Sequence, residues 1–311
     1  MVDASIVFLG VKISFPLIIS CMTGGSEEGF KVNVDLAKAA EELKIPVGMG
    51  SYRILLEKPQ LSPHFELKKY APSAPVIGNI GLIQLRDEDK KSILKIAGDL
   101  GCDALAVHVN PGQEIFQPEG DKDFRGLKDN LAEFIAMAKL PIIVKETGCG
   151  FDPESVNFFV KCGASYVDLA GAGGTNWISV ERERQRGYKA AAAAEFAEWG
   201  IPTAVSLYLD KGRSPLIASG GIRTVMDAAK SIGMGAVCAA MARAFIIAVK
   251  EKGKEGAIEL AKSVKTVIES AMALNGCLNI EEFRKIKLVY GEKFLAAASA
   301  YAEAFGNDTA C

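Results

Sequence analysis

Four side chains able to exchange protons, hydrogen bond or ligate a cation fall within seven positions of this 311-residue chain: His108, Asn110, Gln113 and Glu114 in HVNPGQE (108–114). A lone histidine is more often structural than catalytic, but an amide and a carboxylate in the same short segment suit His108 to a site. Glu114 has no obvious partner in sequence and could hold Mg²⁺, which favours one or two carboxylates together with phosphate oxygens. Glu119 and Asp121 in QPEGD (117–121) could assist it or simply cap a turn. Glu181, followed by Arg182 and Arg184, is either a site carboxylate or a solvated charge on a helix face.

Lys145 closes an otherwise apolar run, PIIVK, and a buried ammonium needs an anionic partner. Glu146 or another carboxylate would serve, and so would the polar edge of a flavin ring, which carries negative charge when reduced. Thr23, Ser51, Asn79 and Thr175 offer small donors and acceptors suited to the edge of a planar heterocycle, although each alone would read as a loop cap. SGGIRT (219–224) sets two glycines, Gly220 and Gly221, just before a helix, where backbone N–H groups and the helix N-terminus can face a phosphate. GAVCAAMAR (235–243) supplies a second backbone approach.

These residues need elements to hold them. Eight short apolar runs read as buried strands: 16–20, 46–50, 75–81, 104–110, 141–146, 166–171, 215–221 and 236–241. Continuous rather than alternating apolar character is what a parallel sheet covered on both faces produces. Amphipathic helix candidates lie between them at 27–43, 87–100, 125–139, 153–162, 224–232 and 255–274. The pattern predicts an α/β fold, a (β/α)₈ TIM barrel, with a doubly wound open sheet as the alternative. PTAVSL (202–207) would be a ninth strand unless it begins a helix. In such a barrel the site sits at the strand C-termini, and here all eight ends are polar or glycine-rich. The polar stretch 172–188 is too long for a routine connection and is expected over that face. No linker divides the chain, so residues 1–311 are expected to form one domain.

With 36 basic and 38 acidic residues the chain has no field for gripping nucleic acid or an anionic membrane, so any phosphate binding must be local. Its longest apolar stretch, 236–249, is interrupted by Arg243 and falls short of the roughly 20 residues a spanning helix needs. The opening MVDASIVFLGVK lacks the charge pattern of a signal peptide, and a cytoplasmic location is expected. Seven cysteines, at 21, 102, 149, 162, 238, 277 and 311, contain no C-x-x-C pair, which argues against zinc and against a disulfide framework. Cys21, Cys102, Cys162 and Cys238 read as small buried hydrophobes. His64, the only other histidine, lies in a proline-flanked loop without chemical company.

Together, MTGG (22–25), GSYR (50–53), HVNPGQE, QPEGD, VKETGCG (144–150), GGTNW (173–177) and SGGIRT resemble type 2 isopentenyl diphosphate isomerase, the flavin-dependent enzyme of isoprenoid synthesis, in its archaeal form particularly. The resemblance runs in family order through residues 8–245. It implies an FMN-binding, Mg²⁺-dependent homo-oligomer, a tetramer or octamer, that interconverts isopentenyl and dimethylallyl diphosphates with flavin reduced by NADPH. By family analogy the reduced flavin itself moves the proton. It further implies that Thr23, Ser51, Asn79, Lys145, Thr175, Gly220, Gly221, Arg223, Ala240 and Met241 contact FMN. On the substrate side it sets Gln113 near the reacting alkene and Glu114 on Mg²⁺, with His108, Asn110, Arg53 and Glu181 completing the site; Gln113, His108 and Glu181 are the catalytic candidates. Moving a proton on and off an unactivated alkene demands a poised acid–base and exclusion of water. The family pattern also has a basic stretch ahead of the segment at 8–10, so a missing diphosphate clamp is expected. The competing readings are an FMN-dependent oxidoreductase on the same scaffold and a flavin-binding homologue impaired in turnover.

Overall fold

The structure is a computed structural model and describes residues 2–306; Cys311 lies outside the described residues. After a short hairpin, β1 (Ile6–Phe8) and β2 (Val11–Ile13), come eight strands: β3 (Leu17–Ile19), β4 (Val47–Gly48), β5 (Val76–Gly81), β6 (Ala104–Val109), β7 (Ile142–Glu146), β8 (Tyr166–Asp168), β9 (Leu216–Ala218) and β10 (Cys238–Met241). These eight close into a parallel barrel in chain order, β10 completing the ring against β3. The eight apolar runs of the sequence are the eight strands, and the open-sheet alternative is excluded by the closure.

The would-be ninth strand is a helix, Thr203–Asp210, started by Pro202. Pro202 cannot donate to a sheet ladder, but its missing N–H costs nothing at a helix start. The helix Glu27–Leu43 has the predicted bounds because Ser26 caps it, its side chain accepting from Gly29 N–H at 3.1 Å. Asp89, Asp152 and Thr224 do the same for Lys90–Asp99, Pro153–Lys161 and Val225–Gly233. The helix expected at 255–274 is the second half of Arg243–Leu274, which breaks its helical backbone at Lys252 and Gly253. Among the described residues, no helix is long and apolar enough to cross a membrane.

The hairpin was not foreseen, and it closes the bottom of the barrel. Leu9 and Gly10 both take positive φ (51° and 75°), the conformation of a tight two-residue turn that matches strand twist. This drives Phe8 and Ile13, both fully enclosed, against Ile18, Ile77, Ala104, Ala106, Ile143, Ile217, Cys238 and Ala240. Each such burial contributes about 2 kcal/mol. Strand side chains alternate in direction, so the inward face continues two residues further along each strand. Beyond Ile77, Ala106, Ile143, Tyr166 and Ile217 those positions are Asn79, His108, Lys145, Asp168 and Ser219. The lumen thus turns from apolar to polar towards the C-terminal ends of the strands.

Candidate functional site

The polar layer is a connected network. Lys145 and Asp168 are in register on β7 and β8, and their buried side chains pair at 3.2 Å (Nζ to Oδ2). Lys145 also donates to the Glu146 carbonyl at 3.0 Å, and the Ser219 hydroxyl donates to Asp168 Oδ1 at 2.5 Å. The anionic partner that Lys145 needed is therefore Asp168, not Glu146. Asp168 and Ser219 were missed, although Asp168 is the one charge in an apolar strand, the same signal that marked Lys145.

Asn79 and His108 join across β5 and β6 at 2.7 Å. Enclosure by protein, and then the positive charges of Lys145 and Arg53, push the His108 imidazole down to about 4. His108 is thus neutral at pH 7 with Arg53 close by. The Cys21 thiol sits on the same layer and burial pushes it up to about 12, so it remains a protonated filler. Among the described residues all six cysteines are free; Cys238 and Cys277 are buried, while Cys21, Cys102 and Cys162 are only partly so.

Glu146 has a different task. Facing the other side of the strand, its Oε2 accepts from the backbone N–H groups of Thr147 (2.6 Å), Gly148 (2.5 Å), Cys149 (2.5 Å) and Gly150 (3.1 Å). Burial pushes its carboxyl up while the four N–H groups pull it back. The carboxylate shapes the loop after β7, whose Gly148 lies so near the Thr175 carbonyl that a Cβ would come within 2.3 Å of it.

At the rim, HVNPGQE turns from strand into the helix Pro111–Phe116. Buried Asn110 donates through Nδ2 to Gln113 Oε1 and to Glu114 Oε1, both at 3.1 Å. Glu114 Oε2 accepts from the Asp121 N–H at 3.0 Å. Gln113 Nε2 reaches Glu181 Oε1 at 3.2 Å across 68 residues of sequence. Glu181 is 2% exposed and receives Arg184 Nη1 at 2.8 Å, so it is no solvated helix charge. Arg184 also reaches Glu119 at 2.7 Å, while Asp121 pairs with Arg86. The acids of QPEGD are thereby committed to arginines and to the turn, since Asp121 also accepts from Asp123 N–H at 2.8 Å. Glu181 lies in the helix Trp177–Glu183 within the polar stretch, packed on Pro111–Phe116 over the strand ends.

On the opposite side, Gly220 and Gly221 take positive φ (82° and 75°) and press against residues 171–174. A Cβ on Gly220 would come within 2.2 Å of the Gly171 carbonyl oxygen. Arg223 clasps this backbone, donating from Nε (3.1 Å) and Nη2 (2.6 Å) to the Gly173 carbonyl. Among the described residues the N–H groups of Gly220, Gly221 and Ile222 have no hydrogen-bond partner in the protein. Orphan donors in a glycine cradle before a helix are what an anion needs.

Thr23, Ser51 and Thr175 stand at strand ends, Thr23 joined to the second strand end by the Gly50 N–H bond to its carbonyl (2.8 Å). Ala240 faces the lumen floor, whereas the Met241 side chain packs outward among the helices, leaving only its backbone for the mouth. His64 does have company: it stacks on Phe30 with centroids 5.0 Å apart, and its Nε2 lies 3.3 Å from Glu27. Among the described residues no three His, Cys, Asp or Glu side chains converge as a metal cage, so a cation here would rely on one carboxylate and its own ligands.

Residues 111–289 match the family model described as FMN-dependent dehydrogenase. The chain is 36% identical to an isopentenyl-diphosphate delta-isomerase of Borreliella afzelii, over 98% of this chain and 86% of that protein. Proteins of the same name from Pyrococcus furiosus (38%, 93% of this chain, 76% of theirs) and Methanosarcina mazei (39%, 92% and 80%) are similarly alike. Among solved structures, a lactate oxidase of Pediococcus acidilactici superposes with a TM-score of 0.67 at 16% identity, over 93% of this chain and 80% of that one. A mandelate oxidase superposes at 0.64 and 17%, over 93% and 83%. At those identities the likeness is one of fold.

Proposed function

The chain belongs to the isopentenyl-diphosphate delta-isomerase family, and on that footing we propose that it is an FMN flavoprotein that interconverts isopentenyl and dimethylallyl diphosphates at its barrel mouth. The observation that carries the reading is the hydrogen bond between Gln113 and Glu181, which brings an amide and a buried carboxylate together beside Glu114 at the rim.

The residues present fit FMN. The partnerless N–H groups of residues 220–222, with Arg223 beside them, suit its phosphate. Thr23, Ser51, Asn79, Lys145 and Thr175 would hold the polar edge of the ring. When reduced, bound FMN would supply electron-rich acid–base chemistry for the alkene. NADPH would be its reductant.

The chain's own groups do the rest. Asn110 orients both the Gln113 amide and the Glu114 carboxylate, so the alkene and the metal are positioned by one side chain. Glu181, fixed by Arg184, holds or moves a proton at its carboxylate. Glu114 would carry Mg²⁺, the remaining ligands being diphosphate oxygens and water. Neutral His108 faces the same anion with Arg53. An arriving diphosphate would offset the Lys145 and Arg53 charges that add to burial in depressing His108, and so raise its affinity for a proton. The helix Trp177–Glu183 and its loop shield the alkene from water.

A single domain over residues 1–311, a cytoplasmic setting and a homo-oligomer of tetramer or octamer order belong to the same proposal. The exposed Trp199, Tyr188 and Ile115 near the mouth support self-association.

The test is an anaerobic assay with FMN, NADPH, Mg²⁺ and isopentenyl diphosphate. Dimethylallyl diphosphate formed without stoichiometric loss of NADPH is expected. Steady NADPH consumption with an electron acceptor would favour an oxidoreductase, and reduced flavin without product would overturn the isomerase reading. Glu114→Gln should raise the Mg²⁺ concentration for half-maximal activity at least tenfold, and unaltered dependence would remove Glu114 as the ligand.

A further inference from the structure

We infer that Asp168 is a positioning residue that sets the charge Lys145 presents to the cofactor, and through it the reduction equilibrium of bound FMN. The inference rests on the FMN reading above.

The geometry is that of a deliberate counter-ion. Lys145 and Asp168 occupy paired positions on adjacent strands, so neither can turn from the lumen without breaking the barrel register. Both side chains are buried, with 11% and 6% of their surface exposed, and Nζ lies 3.2 Å from Oδ2. The other carboxylate oxygen takes the hydroxyl of Ser219 at the end of β9, and the ammonium donates to the Glu146 carbonyl. Each charge is thus held in one orientation, with no freedom to swing towards an incoming group.

An isolated ammonium beneath the polar edge of a flavin would strongly favour the anionic reduced ring. A carboxylate 3.2 Å from that ammonium turns a monopole into a dipole, whose field falls off faster with distance. FMN would then remain harder to reduce, and once reduced, a stronger donor of electron density to an alkene. Lys145 keeps its hydrogen bond while Asp168 withholds most of its charge. A scaffold role for Asp168 would require none of this.

The experiment is to equilibrate FMN-loaded wild type, Asp168→Asn, Lys145→Gln and the double variant with a two-electron reference dye and read the oxidised and reduced flavin bands. Asp168→Asn leaves Lys145 uncancelled and should shift the equilibrium at least tenfold towards reduced flavin, about 30 mV for a two-electron couple. Lys145→Gln should shift it in the opposite direction. The double variant, again neutral, should return to within a few-fold of wild type. Shifts of opposite sign that cancel are not produced by loosened packing. If Asp168→Asn does not fold, the Lys145→Gln shift and its reversal in the double variant decide alone. Equilibria unchanged in variants that retain FMN overturn this inference and leave the isomerase reading standing. A wild type that retains no FMN overturns both.

Discussion

His108 Nδ1 lies 2.7 Å from the side-chain oxygen of Asn79, and because an amide oxygen can only accept, this pairing puts the proton on Nδ1 and leaves Nε2 the unprotonated nitrogen. Enclosure and the nearby cations hold the imidazole at about 4, below its ordinary 6.5.

Between those two values the unfolded chain binds a proton that the folded chain refuses, so stability falls as pH drops from 6.5 towards 4. The loss should reach about 3 kcal/mol at the acid end. Urea midpoints for wild type and His108→Gln at pH 7 and pH 4.5 isolate this contribution. The variant should lose less stability than wild type on acidification; parallel losses would contradict the neutral assignment. Added diphosphate should raise the titration midpoint of His108 in an NMR experiment.

Glu146 satisfies four backbone N–H groups with one oxygen. Glu146→Ala leaves those donors without an acceptor and should cost about 3 kcal/mol or more, whereas Glu146→Gln retains an acceptor and should cost about half. Thermal melts of the apoprotein check this. Equal melting temperatures for wild type and Glu146→Ala would mean that the loop finds other acceptors.

Gly220→Ala should fold but retain FMN at least tenfold less tightly. The new methyl meets the Gly171 carbonyl oxygen at 2.2 Å, so the 171–174 and 220–222 backbones must part. Gly212→Ala is the control: it has a similar positive φ (70°) with nothing within 4 Å of a Cβ, and it should pay only the left-handed strain of about 1–2 kcal/mol. Flavin fluorescence titration separates the two, and equal retention would remove the cradle from the phosphate site.

Arg184 is half exposed, but its partner Glu181 is buried, so truncating the arginine leaves that carboxylate without its cation and should cost about 1–3 kcal/mol. Arg184 also fixes Glu181 against Gln113. Arg184→Ala should therefore lower kcat about tenfold to a hundredfold with little change in FMN affinity, and Arg184→Lys should recover part of the loss. Steady-state kinetics with a flavin titration distinguish this from global damage.

The barrel is legible in the amino-acid pattern alone. Eight continuous apolar runs separated by capped amphipathic segments admit few other folds, and the polar ends of those runs marked the functional face. Lys145, His108, Gln113, Glu114 and Glu181 were legible because a titratable or amide group at the end of an apolar strand, or in a crowded turn, is unusual on its own terms. PTAVSL was ambiguous locally and was decided by Pro202, which suits a helix start. The hairpin escaped notice because three-residue strands are too short to show a period, although Leu9–Gly10 makes their turn.

The partnerships between side chains come from packing. That Lys145 answers to Asp168 and not to its neighbour Glu146 follows from alternation along β7 and register with β8. That Glu181 is buried follows from a helix laid on Pro111–Phe116 from 68 residues away. Spacing along a chain reports which face a side chain takes. Which charge stands opposite it depends on strand register and on the packing of loops distant in sequence, and only the closed barrel sets these.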